Sequence, residues 1–272
     1  VFECVINVSE GRDERVLADL ERAAGASLRD RHSDAFHHRS VFTLINSSEA
    51  LLGDVRELVV ASYAALDLST HRGVHPRLGV VDVVPFVALE PDAFADAVAL
   101  RDDTARWIAS LGVPVFLYGP TEDGERSLPY VRAHAFADLA PDFGPDLADA
   151  RRGAAVVGAR ALLVAWNLWL RDTSLAETQR VARLARGAGV RTLALEVGEM
   201  TQVSCNLFDL ALARPSAVYD LVAEELREGV IDHAELVGLA PRSLLASEDP
   251  RRWAQLGLSE DATIESRLAG RA

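Results

Sequence analysis

Hydrophobic and polar positions change period several times along the first third of the chain, and each change predicts an element. FECVINV (2–8) reads as a strand. Val16, Leu17, Leu20 and Ala24 then recur at helical spacing behind an acidic first turn at Asp13 and Glu14. SLRDRHS (27–33) and SVFTLIN (40–46) form two extended runs split by a polar turn through Asp34 to Arg39. Ser48 is the predicted cap of a helix whose Leu51, Leu52, Val55, Leu58, Val59 and Ser62 share a face. GVVDVVPFVAL (79–89) closes the set as a strand, with Pro85 pointing to an edge or a bulge.

The same order returns from Ala161. ALLVAWNLWL (161–170) is followed by Ser174 and Glu177, spaced as a capping box, ahead of Leu175, Val181, Leu184 and Ala185, with Gly187 and Gly189 as the stop. VRTLALEV (190–197) and TQVSCNL (201–207) are two strands joined at Gly198 and Glu199. A helix from Pro215 and a short strand, AELVGL (234–239), complete the set. The chain therefore reads as an α/β (α+β) protein made of two split β-α-β-β-α-β units of the ferredoxin-like type. Between them lie a helix (Pro91 to Leu111), a strand (Val113 to Leu117) and an irregular stretch, Pro129 to Gly153, too long to be a mere connection.

Composition narrows the function classes. With 49% hydrophobic and 25% charged residues over 272 positions the chain can bury a large core. There is no lysine, so every side-chain cation is an arginine or a histidine, and the net charge of −13 disfavours nucleic acid and anionic lipid as partners. The longest apolar run, Ala154 to Leu170, is interrupted by Arg160 and falls short of a membrane span. The residues from Val1 lack a signal-peptide pattern. Cys4 and Cys205 stand far apart, which suits a reducing, cytoplasmic setting.

The densest polar segment is HRGVHPRLG (71–79). His71 and His75 are spaced for metal binding, but Gly73 and Pro76 break the helix that would align them and no HExxH glutamate is present, so a metal is not expected. Two readings remain open from the residues. The histidines fill loop hydrogen bonds, or His75, stiffened by Pro76 and flanked by Arg72 and Arg77, is a general base beside an anion site, its pKa lowered by those cations. A second cluster, HSDAFHHRS (32–40), is either a solvated hairpin or part of the same site. Asn7, Ser9, Glu10 and Gly11 end a strand and open a helix, where backbone N–H groups can receive an anion. Arg151 and Arg152 offer forks suited to carboxylates.

These segments, in order, resemble the formiminotransferase family. The matching stretches are ECVINVSEG (3–11), HSDAFHHRSVFTL (32–44), HRGVHPRLGVVDVVPF (71–86), PDFGP (141–145), GAAVVGAR (153–160), TQVSCNL (201–207) and ELVGLAP (235–241). The resemblance implies two subdomains, 1–162 and 163–272, with sheets facing each other across a folate tunnel and helices outside, in a homodimer. It implies a glutamate formimidoyltransferase that moves a formimino group from N-formimino-L-glutamate to tetrahydrofolate, with His75 as the catalytic residue and no metal. By position it carries folate or substrate contacts to Gly144, Pro145, Arg151, Arg152 and Gly153, with Asn7, His32, Arg39, Arg77 and Asn206 as further partners. Release of ammonia from the product would then fall to a separate cyclodeaminase. A formyl-group variant acting on N-formylglutamate or 5-formyltetrahydrofolate, and a folate binder without catalysis, are the alternatives.

The chain departs from the family pattern at Ile6 and Val8, at His38 where asparagine is common, at Asp149 and Ala150, and at Trp169. The last three departures lie in segments expected to face ligand.

Overall fold

A computed structural model of the chain describes residues 1–270 and divides into two compact units, one spanning Val1–Leu162 and the other beginning at Leu163. In the first unit β1 (Phe2–Val8), α1 (Glu14–Ala23), β2 (Leu28–Asp34), β3 (Arg39–Asn46), α2 (Ser48–Ala65) and β4 (Val81–Ala88) follow the predicted order. Then come α3 (Phe94–Ser110), β5 (Val115–Thr121), β6 (Gly124–Arg126), α4 (Leu128–His134) and β7 (Ala155–Ala159). The sheet runs β2-β3-β1-β4-β7-β5-β6, antiparallel from β2 to β4 and parallel where β7 joins β4 and β5.

The second unit contains β8 (Val164–Arg171), α5 (Leu175–Ala185), β9 (Val190–Val197), β10 (Met200–Leu207), α6 (Pro215–Glu225) and β11 (Val230–Val237), then α7 (Arg242–Ala246) and α8 (Ile264–Ala269). Its strands order as β11-β8-β10-β9, all antiparallel. Both units thus place their fourth strand beside the first and the third between first and second. This is the split β-α-β-β-α-β arrangement read from periodicity.

Alternation along β1 explains the layers. Cys4, Ile6 and Val8 turn into a core with Leu17 and Leu20 of α1, Leu51, Val55 and Leu58 of α2, and Leu100 and Ile108 of α3, which leaves Glu3, Val5 and Asn7 on the other face. Val83, Phe116, Tyr118 and Val156 face that other side, where Val131 of α4 covers them. In the second unit Trp166, Leu168 and Leu170 pack against Val181 of α5 and Val218 and Val222 of α6. Among the described residues no helix is long and apolar enough to cross a membrane.

Several local expectations change. Ser47, not Ser48, occupies the cap position of α2, and it makes no side-chain capping bond. Ser174 does cap α5 through Glu177 N–H at 3.2 Å, but Glu177 does not reach back; it pairs with Arg180 and accepts from Arg227 N–H, while Glu228 takes the Ser174 N–H. Pro85 lies inside a strand paired on both sides, neither at an edge nor at the bulge. The bulge is three residues earlier: Asn7 pairs with Val83 and Val8 with Val81, so Asp82 is the extra residue. The stretch expected to be irregular holds α4 at its start. Arg160, which interrupts the apolar run, follows β7 of the first sheet, and β8 of the second sheet begins at Val164.

Candidate active site

The open face of the first sheet collects polar groups from four elements. Asn7 ends β1, Arg39 begins β3, the bulge aims Asp82 of β4, and α4 contributes Arg132. His75 stands on the loop between α2 and β4. The Arg39 guanidinium is spent entirely on this cluster. Its Nε donates to Asn7 Oδ1 at 3.0 Å, its Nη2 pairs with Asp82 at 2.8 Å, and its Nη1 reaches His75 Nδ1 at 2.7 Å and the Pro76 carbonyl at 3.3 Å. Arg132 pairs with the same Asp82 oxygen at 2.5 Å and donates to the Pro76 carbonyl at 2.9 Å. Leu78 N–H donates to the other Asp82 oxygen at 2.6 Å.

Electrostatics follow from that crowding. Burial pushes the Asp82 carboxyl up, but Arg39, Arg132 and the Leu78 N–H outweigh it and hold it below its usual range. Arg39 is lowered to about 10, first by burial, and stays protonated at neutral pH. The imidazole of His75 is lowered to about 3, by burial first and by Arg39 second, so it is neutral across the physiological range. The direction agrees with the sequence reading. The leading cause is burial, and the cations that act are Arg39 and Arg132, with both of the expected neighbours, Arg72 and Arg77, absent from the set.

A second layer supports the loop. Arg77 donates to the His75 carbonyl at 3.1 Å and to Nδ1 of the His71 ring, whose Nε2 donates to the His38 carbonyl at 2.9 Å. His71 is lowered to about 4 by burial and then by Arg77. His38 stacks on His71 with centroids 4.0 Å apart, and its ring nitrogens face Glu10 Oε1 at 3.1 Å and the Arg72 carbonyl at 2.9 Å. His38 adopts φ 52°, a left-handed conformation that asparagine also tolerates, which accounts for the family's asparagine there.

The anion site expected at the start of α1 is filled by the chain itself. Glu10 Oε1 accepts the N–H groups of Gly11, Arg12 and Asp13 at 2.9, 2.7 and 3.0 Å. Burial opposes ionisation, yet these N–H groups and His38 hold the Glu10 carboxyl below its ordinary value. Gly11 is obligatory for a steric reason, because a Cβ there would collide with the Asp34 carbonyl and the Arg39 amide.

His32 is partly buried on β2 opposite Val41. Gly144 and Gly153 have φ of 86° and 73°, and Pro145 follows Gly144 in an exposed turn. Gly153 bonds Asp149 backbone to backbone, and Arg152 pairs with Asp149 at 2.6 Å and donates to the Leu111 carbonyl at 2.8 Å. Arg151 is 68% exposed and pairs with Asp67 at 3.0 Å. Arg152 is therefore committed to holding its own segment. Asn206 is exposed on β10 of the second unit.

On the face of that second sheet turned away from α5 and α6, Asn167 and Trp169 both donate to Glu235, at 3.1 and 2.8 Å, and Trp169 stacks on His233. Gln202, opposite Trp169 in register, is buried with neither amide atom partnered. Among the described residues, no group of three or more His, Cys, Asp or Glu side chains is gathered as a metal site.

Against this geometry, comparison with known proteins is decisive. The family model for the formiminotransferase domain, N-terminal subdomain, matches residues 1–160. The chain belongs to the formiminotransferase family. It is 32% identical over 270 residues to the glutamate formimidoyltransferase of Streptococcus pyogenes serotype M1, covering 90% of each chain. It is 32% identical over 296 residues to the glutamate formimidoyltransferase of Thermoplasma acidophilum, covering 98% of this chain and 97% of that one. The formimidoyltransferase-cyclodeaminase of Gallus gallus is 33% identical over 276 residues, 90% of this chain but 51% of its own length. Relatives in this formiminotransferase family thus include stand-alone proteins of about this length and fused ones about twice as long.

Sequence reasoning missed Asp82 and Arg132, the two groups that complete the cluster. Asp82 lay inside an apolar strand pattern, where an acidic residue with hydrophobic neighbours on both sides was the available signal. Arg132 lay in a stretch read as irregular.

Proposed function

We propose that the chain is a glutamate formimidoyltransferase that moves the formimino group of N-formimino-L-glutamate to tetrahydrofolate, releasing L-glutamate. The observation that carries this reading is a neutral imidazole, His75, held by a fixed guanidinium beside Asn7 in a chain of this family. Tetrahydrofolate, when bound, supplies N5 as the nucleophile toward the formimino carbon. A proton must leave that nitrogen and one must reach the departing glutamate nitrogen. His75 is the group assigned to exchange protons with those two positions, and in the ligand-free protein it is uncharged at neutral pH. Amidine carbon is already electrophilic, so orientation by Asn7 and the surrounding arginines supplies much of the remaining acceleration.

The set of donors fits an anionic folate. Arg151, exposed two residues before Gly153, is the cation assigned to a carboxylate, with Gly144 and Pro145 shaping the segment and His32 and Asn206 as further contacts; Arg77 is assigned to holding the His75 loop, since its three nitrogens already have partners. Arg39 is assigned to His75 instead of a ligand, since its three nitrogens already have partners. The two units are taken as the N- and C-terminal subdomains of one transferase. The protein is proposed to act in the cytoplasm, as a homodimer, in histidine degradation, with a separate cyclodeaminase consuming its product. Purified protein incubated with N-formimino-L-glutamate and tetrahydrofolate should yield L-glutamate and 5-formiminotetrahydrofolate. Turnover with N-formyl-L-glutamate alone would replace this reading by the formyl variant.

A further inference from the structure

The bulge in β4 turns Asp82 toward two guanidinium groups from separate elements, and both of its oxygens are engaged while the side chain is 1% exposed. A guanidinium is planar, so fixing two of its nitrogens fixes the third. With Nε on Asn7 and Nη2 on Asp82, Arg39 has no freedom at Nη1, which lies 2.7 Å from His75 Nδ1. That same Nδ1 lies 2.7 Å from the Pro76 carbonyl. The two contacts exclude each other, because Nδ1 needs a lone pair for Arg39 and a proton for the carbonyl. Arg39 can only donate, whereas the carbonyl has another donor in Arg132 at 2.9 Å. The partners therefore assign the lone pair to Nδ1 and the proton to Nε2.

We propose that Asp82 is a positioning residue for His75: by clamping Arg39 and Arg132 it fixes the imidazole in place and in the Nε2–H tautomer, so that the resting ring offers an N–H to its ligand. This rests on the reading of His75 as the proton-exchanging group. The opposite tautomer, with Nδ1–H on the Pro76 carbonyl and a lone pair at Nε2, is the one able to take a proton from a substrate nitrogen. The hold of Asp82 on Arg39 sets the balance between the two. The groups facing the ring are Arg39 from β3, Asp82 from β4, Arg132 from α4, Arg77 from its own loop, and His37, whose ring centroid lies 5.7 Å away. With Asp82 neutral, Arg39, Arg132 and Arg77 lose the carboxylate that offsets their mutual repulsion, and Arg39 leaves Nδ1.

The test is nitrogen NMR of the full chain labelled with 15N-histidine, with His75→Gln used to assign the signals. In the wild type, Nδ1 of His75 should appear as an unprotonated nitrogen and Nε2 as a protonated one, unchanged from pH 8 to pH 5. In Asp82→Asn the ring should shift toward Nδ1–H, and Arg132→Met should move it in the same direction. A wild-type ring protonated at Nδ1 overturns the proposal without any variant. So do folded Asp82→Asn and Arg132→Met proteins whose His75 signals match the wild type. These readouts need no turnover, so an inactive wild type would remove the transferase reading and leave this result to stand or fall separately.

Discussion

Replacing His75 by alanine isolates the proposed chemistry from the architecture that holds it. The ring contributes one bond to Arg39, at 2.7 Å, yet its removal leaves Arg39 paired to Asp82 and Asn7 and within 3.3 Å of the Pro76 carbonyl. No buried charge is orphaned, so the stability loss should stay under about 1 kcal/mol, within the range for a partly exposed hydrogen-bonding side chain. General acid–base catalysis is worth roughly two to four powers of ten, which at 1.36 kcal/mol per power is about 3–5 kcal/mol of barrier. The expected outcome is a kcat for formimino transfer lower by that factor, little change in KM for either substrate, and an unfolding midpoint close to the wild type. Steady-state kinetics against both substrates and a urea titration measure the three quantities. A folded variant that keeps more than about a tenth of wild-type kcat would refute the assignment, since one power of ten falls below what the proton transfer is asked to supply.

Acid should destabilise the fold earlier than its carboxylates alone require. His75 and His71, lowered to about 3 and about 4, remain neutral in the folded state while the unfolded chain protonates them near 6.5, so stability falls as pH drops from about 6.5 toward 4. After allowance for solvent screening of partly exposed rings, the loss is on the order of 1 kcal/mol per ring by pH 5, and a His71→Gln variant should show a shallower decline in urea midpoints. Arg151→Glu should weaken folate binding at low salt and much less at high salt, measured by fluorescence titration; equal affinity at low salt would place the carboxylate site elsewhere. Arg152→Ala should instead cost about 1–2 kcal/mol of stability, because it severs the Asp149 pair and the Leu111 bond. Gly11→Ala should cost at least as much in thermal melting, since backbone and not a flexible side chain stands in the way.

Much of the fold is legible in the pattern because each half buries one face of an antiparallel sheet under helices. Period-2 and period-3.6 runs then alternate cleanly, as along Cys4, Ile6 and Val8 and along Leu51, Val55 and Leu58. β7 escaped because AVVGA is a short, uniformly buried run between Ala154 and Arg160, and parallel pairing with β4 and β5 leaves no local trace. The site was legible only in part. His75, Asn7 and Arg39 come together, whereas the motif resemblance had Asn7 and Arg39 as ligand contacts; the role of Arg39 depends on Asp82 and Arg132, which a bulge and a short helix deliver from afar. For the same reason the helix start that resembled an anion receptor proved to be satisfied by Glu10, a residue one position from the glycine that suggested it.

The extra residue in β4 leaves Asp82 and Val83 on the same side of the sheet, with Val81 and Val84 both packed in the hydrocarbon layer on the other. In strict alternation counted back from Val84 the carboxylate would enter that layer, and counted forward from Val81 it would be Val83 and Val84 that exchanged faces. Deleting one residue here would either plunge a charge into grease or throw every later side chain of the strand out of phase. Loops elsewhere in the chain can lengthen or shorten over generations; this stretch of backbone has a reading frame, and descendants that keep the acid must keep the spacing too.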